Sequence, residues 1–196
     1  ISGLYATIGI LVALHERAAS GEGQMLDLSM MDCQIAVLEN AFARYFATNE
    51  PPQPLGTRHP VFTPFQAFQS KDGWMVVAVM GGANDKWPLF CAAIDRIDLM
   101  DDERFVDGWS RTVHYEVLEP LLSNILRQKT TQEWMDIFLE SGIACGPVNT
   151  IPQVAVDPHV QERGMFVEID HPHLGSMKVV NSPLRLSRTG PEVRDP

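Results

Sequence analysis

The sequence has few cysteines and no long apolar run. Cys33, Cys91 and Cys145 are the three cysteines among 196 residues, and they lie far apart without a CxxC pair. This pattern is typical of reduced cytoplasmic thiols and argues against a disulfide framework or a cysteine-based zinc site. The longest apolar stretch, Leu4–Leu14, is shorter than the ~18 residues that span a bilayer. We therefore expect a cytoplasmic protein that does not cross a membrane, with each thiol serving as a small apolar side chain.

Positive charge is also scarce. The chain has 15 Lys and Arg residues against 25 Asp and Glu residues, for a formal net charge of −10, and its basic residues are scattered. A protein that binds a phosphate backbone needs a basic face, so nucleic acid is excluded as an expected partner. A nucleotide-like ligand would have to find most of its basic contacts elsewhere.

Common catalytic motifs are missing. The sequence contains no GxSxG elbow, P-loop, HExxH or GxGxxG motif. His171 and His173 are the closest pair of histidines, but no third ligand lies nearby in the sequence, so we expect a turn rather than a metal site. With 45% hydrophobic and 20% charged residues, the chain has the composition of a globular protein with one ordinary domain or two small ones.

The N-terminal part is predicted to be helical with one short strand. Apolar residues recur at helical spacing in Gly3–Ala19, alternation in Gln24–Ser29 predicts a strand, and Met30–Thr48 predicts a second helix. Composition then changes at Asn49. Five prolines and a glycine in residues 49–64 cannot continue a helix and indicate an extended linker.

The rest of the chain is predicted to mix strands and helices. A turn at Ser70–Gly73 joins two strands, and glycines or prolines separate the later elements. The predicted strands are 65–69, 74–80, 166–170, 176–180 and 183–187, and the predicted helices are 84–94, 114–128 (with a break or late start at Pro120), 131–141 and 154–163, where Asp157-Pro158 interrupts the last.

Local signals predict several helix ends and a core. Asp85 is placed to cap the helix that follows it, Thr130 or Thr131 with Glu133 resembles a capping box, and Gly142 is a predicted left-handed terminator. We expect the core of the middle segment to form where its large aromatic side chains converge, namely Trp74, Trp87, Phe90 and Trp134.

Two glycine-bearing segments are candidate ligand loops. Gly56–Pro60 lies between the linker and the first strand of the middle segment, and Gly81–Asp85 lies between a strand and a helix. Backbone N–H groups in such loops can bind an anion, although simple turn formation is the more common role. From the residues alone we predict a soluble two-part α/β protein, and the role of Gly81 and Gly82 stays open.

The segments of this chain and their order resemble those of the class III CoA-transferases. This family includes formyl-CoA transferase, carnitine-CoA transferase and the α-methylacyl-CoA racemases. The resemblance covers essentially the whole chain. Its segments, in the family's order, are GLYATIGILVALHERAASGEGQMLDLSMMD (3–32), TRHPVFTPFQAFQSKDGWMVVAV (57–79), NDKWPLFC (84–91), GIACGPVNT (142–150) and DPHVQERGMFVEIDHPHLGSMKVVNSPLRLS (157–187).

This resemblance implies an α/β fold in an interlocked homodimer. Each subunit of the family has a Rossmann-like large domain, built from both chain ends, and a small α+β domain. On that pattern the present chain is the C-terminal part of a subunit. The implied divisions are residues 1–48 in the large domain, 49–62 as a linker, 63–150 as the small domain, 151–165 as a return linker, and 166–196 as a β-rich segment rejoining the large domain.

The resemblance also implies the transfer of coenzyme A from an acyl-CoA to a carboxylic acid. In the family an aspartate attacks the donor thioester and is converted through a mixed anhydride into an aspartyl-CoA thioester. The position of that aspartate falls just upstream of Ile1, so no catalytic residue is expected within the chain, and Asp27 and Asp32 match structural positions. Coenzyme A is thus a substrate; no separate cofactor or metal is expected.

Five residues match positions that contact substrate or coenzyme A in the family. Met30 matches a position that lines the coenzyme A site. Gly56, Thr57, Arg58 and His59 match the mobile loop over the acyl site of formyl-CoA transferase, which has a run of glycines where this chain has one.

Two alternatives stay open. A racemase of the same fold would move a proton beside the thioester carbonyl with a His/Asp pair. That branch tends to have a glutamate where this chain has Asn84 and Asp85, which favours the transferase. A non-catalytic remnant of the fold is the other alternative. The sequence does not identify the acyl donor or the acceptor acid.

Overall fold

The structure is a computed structural model that describes residues 1–191 and Val193; Glu192 and residues 194–196, at the end of the segment predicted to rejoin the large domain, lie outside the described residues. The chain forms two compact units, Ile1–Pro54 and a second unit that begins at Leu55. Their boundary falls inside the segment predicted as a linker. The boundaries predicted for the other segments stay predictions.

The first unit consists of three helices. They are α1 (Ser2–Ser20), α2 (Met30–Val37) and α3 (Glu39–Thr48). Gly21 ends α1 in the left-handed conformation at φ 80°, and the Ser29 hydroxyl caps α2 by accepting hydrogen bonds from the Met31 and Asp32 N–H groups. The predicted helix 30–48 is therefore two helices, because Leu38 leaves the helical conformation at φ −94° and ψ 17°.

The predicted strand at Gln24–Ser29 is wrong. The segment is not a strand, and the strands found in the described residues all lie in the second unit. Because a strand needs hydrogen-bond partners on a neighbouring strand, alternation of side chains alone does not form one. Helix α1 packs little of its surface within the described structure. None of its residues is buried, and Leu4 and Leu11 are 70% and 60% exposed.

The second unit contains a three-stranded antiparallel sheet of order β1-β2-β3, made by β1 (Phe65–Gln69), β2 (Trp74–Ala78) and β3 (Ala144–Pro147). The predicted turn joins β1 to β2, since Ser70 N–H donates to the Gly73 carbonyl and Gly73 N–H donates to the Ser70 hydroxyl. Strand β3 was not predicted, because Gly146-Pro147 reads as a break. Its position at the sheet edge tolerates a proline that lacks an N–H donor.

Four helices and a short 3-10 turn complete this part of the unit: α4 (Trp87–Ala93), the turn Ile97–Leu99, α5 (Gly108–Val113), α6 (Tyr115–Leu126) and α7 (Thr131–Glu140). The predicted interruption at Pro120 is wrong: α6 continues through it while Leu118, Leu122 and Leu126 are buried in the core. Burial of that stripe offsets the hydrogen bond that a proline removes. The 3-10 turn and α5 were not predicted.

The core lies between the sheet and these helices. Trp87, Phe90 and Trp134 belong to it as predicted, together with Phe68 and Phe138 among others. Trp74 does not, because it is 51% exposed. The neighbouring β2 residues Met75 and Val77 point inward, and successive side chains of a strand alternate between the two faces. Cys33 and Cys91 are buried as expected, and Cys145 is half-buried.

The C-terminal part of the second unit has two short helices and a hairpin: α8 (Ile151–Val156), α9 (Pro158–Glu162), β4 (Phe166–His171) and β5 (Gly175–Val180). The hairpin turns at Gly175, which has φ 73°. The strand predicted at 183–187 is wrong. Residues Asn181–Leu184 instead form turns in which side-chain oxygens accept backbone hydrogen bonds, and Pro183 has no N–H to donate to a strand.

Candidate substrate-binding site

The loop Leu55–His59 is held in a tight turn at the start of the second unit. Gly56 has φ 64°, and Arg58 N–H donates to the Leu55 carbonyl at 3.2 Å. A Cβ atom on Gly56 would meet no atom within 4 Å. The glycine is therefore required by its left-handed backbone conformation, which side chains disfavour, and not by lack of space.

Thr57 and His59 fasten this loop to β1. The Thr57 hydroxyl accepts a hydrogen bond from Ala67 N–H at 3.1 Å, and His59 N–H donates to the Phe65 carbonyl at 2.8 Å. The His59 ring stacks on Phe62 and Phe65, with ring centroids 4.9 and 5.0 Å apart. These contacts make both residues anchors of the loop.

The tautomer of His59 follows from its backbone contacts. Its Nδ1 accepts hydrogen bonds from the N–H groups of Val61 and Phe62 at 3.1 and 3.0 Å. Since a nitrogen that accepts cannot also carry the proton, the neutral ring is protonated at Nε2. The ring thereby fixes the course of the chain from the loop into β1.

Arg58 lies against the first residue of α6. Its guanidinium carbon is 4.0 Å from the centroid of the Tyr115 ring, and both residues are half-buried. Burial raises the pKa of the Tyr115 hydroxyl, while the Gln66 amide and the Arg58 charge act in the opposite direction. The contact is a cation–π interaction between the loop and the helix.

The five predicted binding residues fall in the two compact units. Met30 begins α2 in the first unit and is 75% exposed. Gly56, Thr57, Arg58 and His59 lie together in the second unit. The structure thus assembles the four loop residues into one local arrangement, and their part in substrate binding stays a prediction.

A cavity of about 310 Å³ lies next to the segment that follows the loop. It is lined by Val61, Phe62, Gly81, Gly82, Asp107, Gly108 and Trp109. Gly81 and Gly108 lie close together at one wall of this cavity. A Cβ atom on Gly81 would lie 3.1 Å from the Cα atom of Gly108. Gly81 therefore allows close approach of two backbone segments, a role that the sequence left open.

An ion pair that the sequence did not predict packs against the same glycines. Arg111 is fully buried, and its guanidinium donates to the carbonyls of Thr63 and Phe105 and, at 2.8 Å, to Asp85 Oδ2. The other oxygen of Asp85 accepts from Trp87 N–H at 2.9 Å. The predicted cap at Asp85 is one residue off, because Lys86 stands at the N-cap of α4 and its side chain makes no cap hydrogen bond. Asp85 is therefore engaged in structure through both oxygens. No sequence motif marks the pair, because its members are 26 residues apart.

Within residues 1–191 and Val193, no group of three His, Cys, Asp or Glu side chains is arranged to hold a metal ion. His171 Nδ1 accepts from the N–H groups of His173 and Leu174, which is the turn expected from the sequence. In the same part of the chain, no helix is both long enough and apolar enough to cross a membrane.

The chain belongs to CoA-transferase family III, whose family model matches residues 1–196. Among similar proteins, the human succinyl-CoA:glutarate CoA-transferase is 29% identical over 95% of this chain and 42% of its own length. The succinyl-CoA:mesaconate CoA-transferase of Haloarcula marismortui is 30% identical over 94% of this chain and 46% of its own. The chain thus spans a little under half the length of these relatives.

Two solved structures have folds similar to that of this chain. A CAIB/BAIF family protein from Brucella suis is 28% identical, with a TM-score of 0.75 over 96% of this chain and 48% of that protein. A protein from Mycobacterium tuberculosis at 24% identity has a TM-score of 0.80 over the whole chain and half of its own length. The predicted recognition of the family and of its α/β fold is confirmed.

Proposed function

We propose that this chain forms part of an enzyme that transfers coenzyme A from an acyl-CoA to a carboxylic acid. The observation that carries the proposal is the match of the CoA-transferase family III model over residues 1–196. The names of similar proteins describe transfer involving glutarate, mesaconate or oxalate, which are all carboxylic acids. No described residue of the chain is assigned as the nucleophile.

The proposed chemistry proceeds through an aspartate supplied by residues that precede Ile1 in the complete protein. Its carboxylate attacks the donor thioester carbonyl, and coenzyme A leaves as a thiolate. The thiolate attacks the aspartyl carbonyl of the resulting anhydride, which releases the donor acid and forms aspartyl-CoA. The acceptor carboxylate then displaces the thiolate, and attack of the thiolate on the acceptor carbonyl forms the new acyl-CoA and regenerates the aspartate.

This chain contributes binding and positioning in the proposal. The loop Leu55–His59 presents the Arg58 side chain and a glycine turn that lets backbone approach a ligand closely. Met30 contributes to the coenzyme A site from the first unit. Since the chain carries a net charge of −10, the cations that bind the coenzyme A phosphates come mainly from residues outside it. A cytoplasmic homodimer is the form that we propose.

The test compares the complete protein with the 196-residue chain. Incubated with a panel of acyl-CoA thioesters and free acids, the complete protein should exchange coenzyme A between them, as followed by chromatography of the thioesters. The 196-residue chain alone should show no exchange, since covalent catalysis needs the nucleophile.

Three results would contradict the proposal or part of it. Deuterium incorporation beside the thioester carbonyl in heavy water, without exchange between acids, would identify the racemase alternative. Absence of both reactions in a folded complete protein would identify a non-catalytic member of the fold. Exchange by the 196-residue chain would contradict the position of the nucleophile.

A further inference from the structure

The cavity that begins at Val61 and Phe62 has room for a short carbon chain. Its volume of about 310 Å³ lies at the lower end of the range for ligand pockets, about 300–1,000 Å³. Val61 and Phe62 line one part of it and Trp109 another, while Gly81 and Gly108 add a wall that carries no side chain. The space is therefore mostly apolar.

Trp109 presents an apolar surface that the described residues leave uncovered. Its side chain is 68% exposed, and the exposed Val113 follows it by one helical turn on α5. Val106, just before this helix, is exposed as well. Large apolar side chains that are exposed together, rather than singly, are typical of a binding surface. A tryptophan also offers a large rigid contact area at a low cost in conformational entropy.

The charge that faces the cavity is negative. Of the described residues that line it, Asp107 alone has an ionisable side chain. Its Oδ1 accepts a hydrogen bond from Ser110 N–H at 2.8 Å, and this bond lowers the pKa of the Asp107 carboxyl, so the group is ionised at neutral pH. Arg111 lies next to the two glycines, but it is fully buried and paired with Asp85. A ligand in the cavity therefore meets one negative charge that no lining cation offsets.

The wall of the cavity is fastened to the loop Leu55–His59. His59 Nδ1 accepts the N–H groups of both Val61 and Phe62, and its ring stacks on Phe62 with the centroids 4.9 Å apart. The proposed function places this loop over the acyl group. Because the wall begins two residues after the loop, an acyl group held at the loop can extend its far end into the cavity.

We propose that this cavity binds the hydrocarbon part of an uncharged acyl group, with Trp109 as its contact surface and the Asp107 carboxylate rejecting a second negative charge. This inference rests on the proposed function and names the class of acyl group that is transferred. It differs from the acids in the names of similar proteins, since glutarate, mesaconate and oxalate each carry two carboxylates. Because the donor acid and the acceptor acid occupy the acyl site in turn, one cavity selects both.

The first experiment measures kcat/KM of the complete protein for acetyl-CoA, butyryl-CoA and hexanoyl-CoA with one fixed acceptor acid. Each methylene group that leaves water on binding should raise kcat/KM by about fourfold until the cavity is filled. Glutaryl-CoA and valeryl-CoA have acyl chains of equal length. The wild-type protein should prefer valeryl-CoA, because its acyl group has no second carboxylate.

Trp109→Ala tests the apolar wall. It should raise KM for hexanoyl-CoA by about 10-fold or more and change KM for acetyl-CoA by less than about twofold, because a short acyl group gains little from the tryptophan. Trp74→Ala is the matched control, since Trp74 is also an exposed tryptophan and does not line the cavity. This control should leave the dependence on chain length unchanged.

Asp107→Asn tests the rejection of charge. Asparagine caps a helix as well as aspartate does, so the hydrogen bond from Ser110 N–H is kept while the charge is lost. The ratio of kcat/KM for glutaryl-CoA to that for valeryl-CoA should rise by about fivefold or more, the effect of one like charge at about 4 Å in water. Asp157→Asn is the matched control, because Asp157 caps α9 through Val160 N–H in the same way. It should leave the ratio unchanged.

Binding without turnover is measured by isothermal titration calorimetry of the same proteins with hexanoyl-CoA and acetyl-CoA. The wild-type protein and Trp74→Ala should bind hexanoyl-CoA more tightly and with a more negative heat-capacity change, which marks apolar burial. In Trp109→Ala the two Kd values should be closer together. This measurement decides the inference even in a protein that transfers coenzyme A to no acid, which is the separate failure of the proposed function.

Several outcomes would overturn the inference. One is a Kd and a kcat/KM that do not depend on chain length in the wild-type protein. Another is an equal loss for acetyl-CoA and hexanoyl-CoA in Trp109→Ala, because the residue would then act on coenzyme A or on folding. A wild-type preference for glutaryl-CoA over valeryl-CoA, or an unchanged ratio in Asp107→Asn, would overturn the role of Asp107 and with it the class of acyl group.

Discussion

Arg111 and Asp85 form an ion pair at 2.8 Å in which the arginine is fully buried and the aspartate side chain is 23% exposed. The guanidinium also donates to the Thr63 and Phe105 carbonyls and lies 4.8 Å from the Trp87 ring. One side chain therefore joins the segment before β1, the segment before α5 and the start of α4.

Replacing Arg111 should strongly destabilise the second unit. Arg111→Met leaves Asp85 without its partner and two carbonyls without a donor, which should lower the free energy of unfolding by about 3–5 kcal/mol. Urea titration of the complete protein measures the loss. Arg104→Met is the control, because the Arg104 side chain is 49% exposed, whereas Arg111 is fully buried, and an ion pair of a solvent-exposed arginine should contribute little. Equal effects of the two variants would contradict a structural role for the buried pair.

Gly56→Val should reduce turnover more than stability. Valine is strained at φ 64°, at a cost of about 1–2 kcal/mol, and it stiffens a loop that we place over the acyl site. Gly175→Val is a matched control, since Gly175 has φ 73°, begins β5 directly after the hairpin turn and also has open space around it. Both variants should melt at similarly reduced temperatures, and only Gly56→Val should lower kcat. An unchanged kcat would remove the loop from the mechanism.

The thiol of Cys91 should make stability fall at high pH. Burial raises its pKa to about 12, from 9.0 for an ordinary thiol. Above pH 9 the unfolded state loses this proton while the folded state keeps it, so stability that is complete below pH 9 declines as pH rises towards 12.

Comparison with Cys91→Ala isolates this effect from other groups that titrate at high pH. The difference in unfolding free energy between wild type and variant should shrink by about 1.4 kcal/mol per pH unit above pH 9. Urea titrations at pH 8, 9, 10 and 10.5 measure it. A difference that stays constant over this range would show that the folded-state thiol titrates normally.

Residues 55–150 should fold without the rest of the chain. The large buried cluster of the second unit is formed entirely by residues between Phe68 and Ile143. A fragment of this size is large enough to bury a core of its own, although the stability of small domains is modest. Circular dichroism should show a cooperative melt. A gradual, non-cooperative change would mean that the core depends on residues outside the fragment.

The 196-residue chain by itself should self-associate through α1. The helix has no buried residue although it is apolar on several sides, a composition typical of a helix that is covered by other parts of a protein. Leu4→Lys with Leu11→Lys should reduce the association measured by light scattering. Thr7→Lys with His15→Lys adds the same number of lysines at exposed positions and serves as the control. A monomeric wild-type chain at high concentration would contradict the prediction.

Part of the candidate site could be predicted from the sequence. The resemblance placed Gly56–His59 on a loop before β1, and the structure finds these residues there in a turn that requires the glycine. The contact of Arg58 with Tyr115 could not be predicted, because the two residues are 57 positions apart and no motif joins them. Packing of the loop against α6 creates the contact.

The sequence by itself determined the features that depend on neighbouring residues. These include the capping box of Thr130 with Glu133, the turn at Ser70–Gly73 and the left-handed Gly142. Each is set by hydrogen bonds or backbone strain over four or five residues, so residue type is sufficient to predict it.

Tertiary structure decided the features that depend on distant partners. Strand β3 exists because β2 pairs with it, and Gln24–Ser29 is not a strand because no neighbouring strand pairs with it in the described residues. The ion pair of Arg111 with Asp85 likewise forms only when α5 packs against the loop before α4. Such contacts gain their energy from groups brought together by folding, and local sequence does not specify which groups will meet.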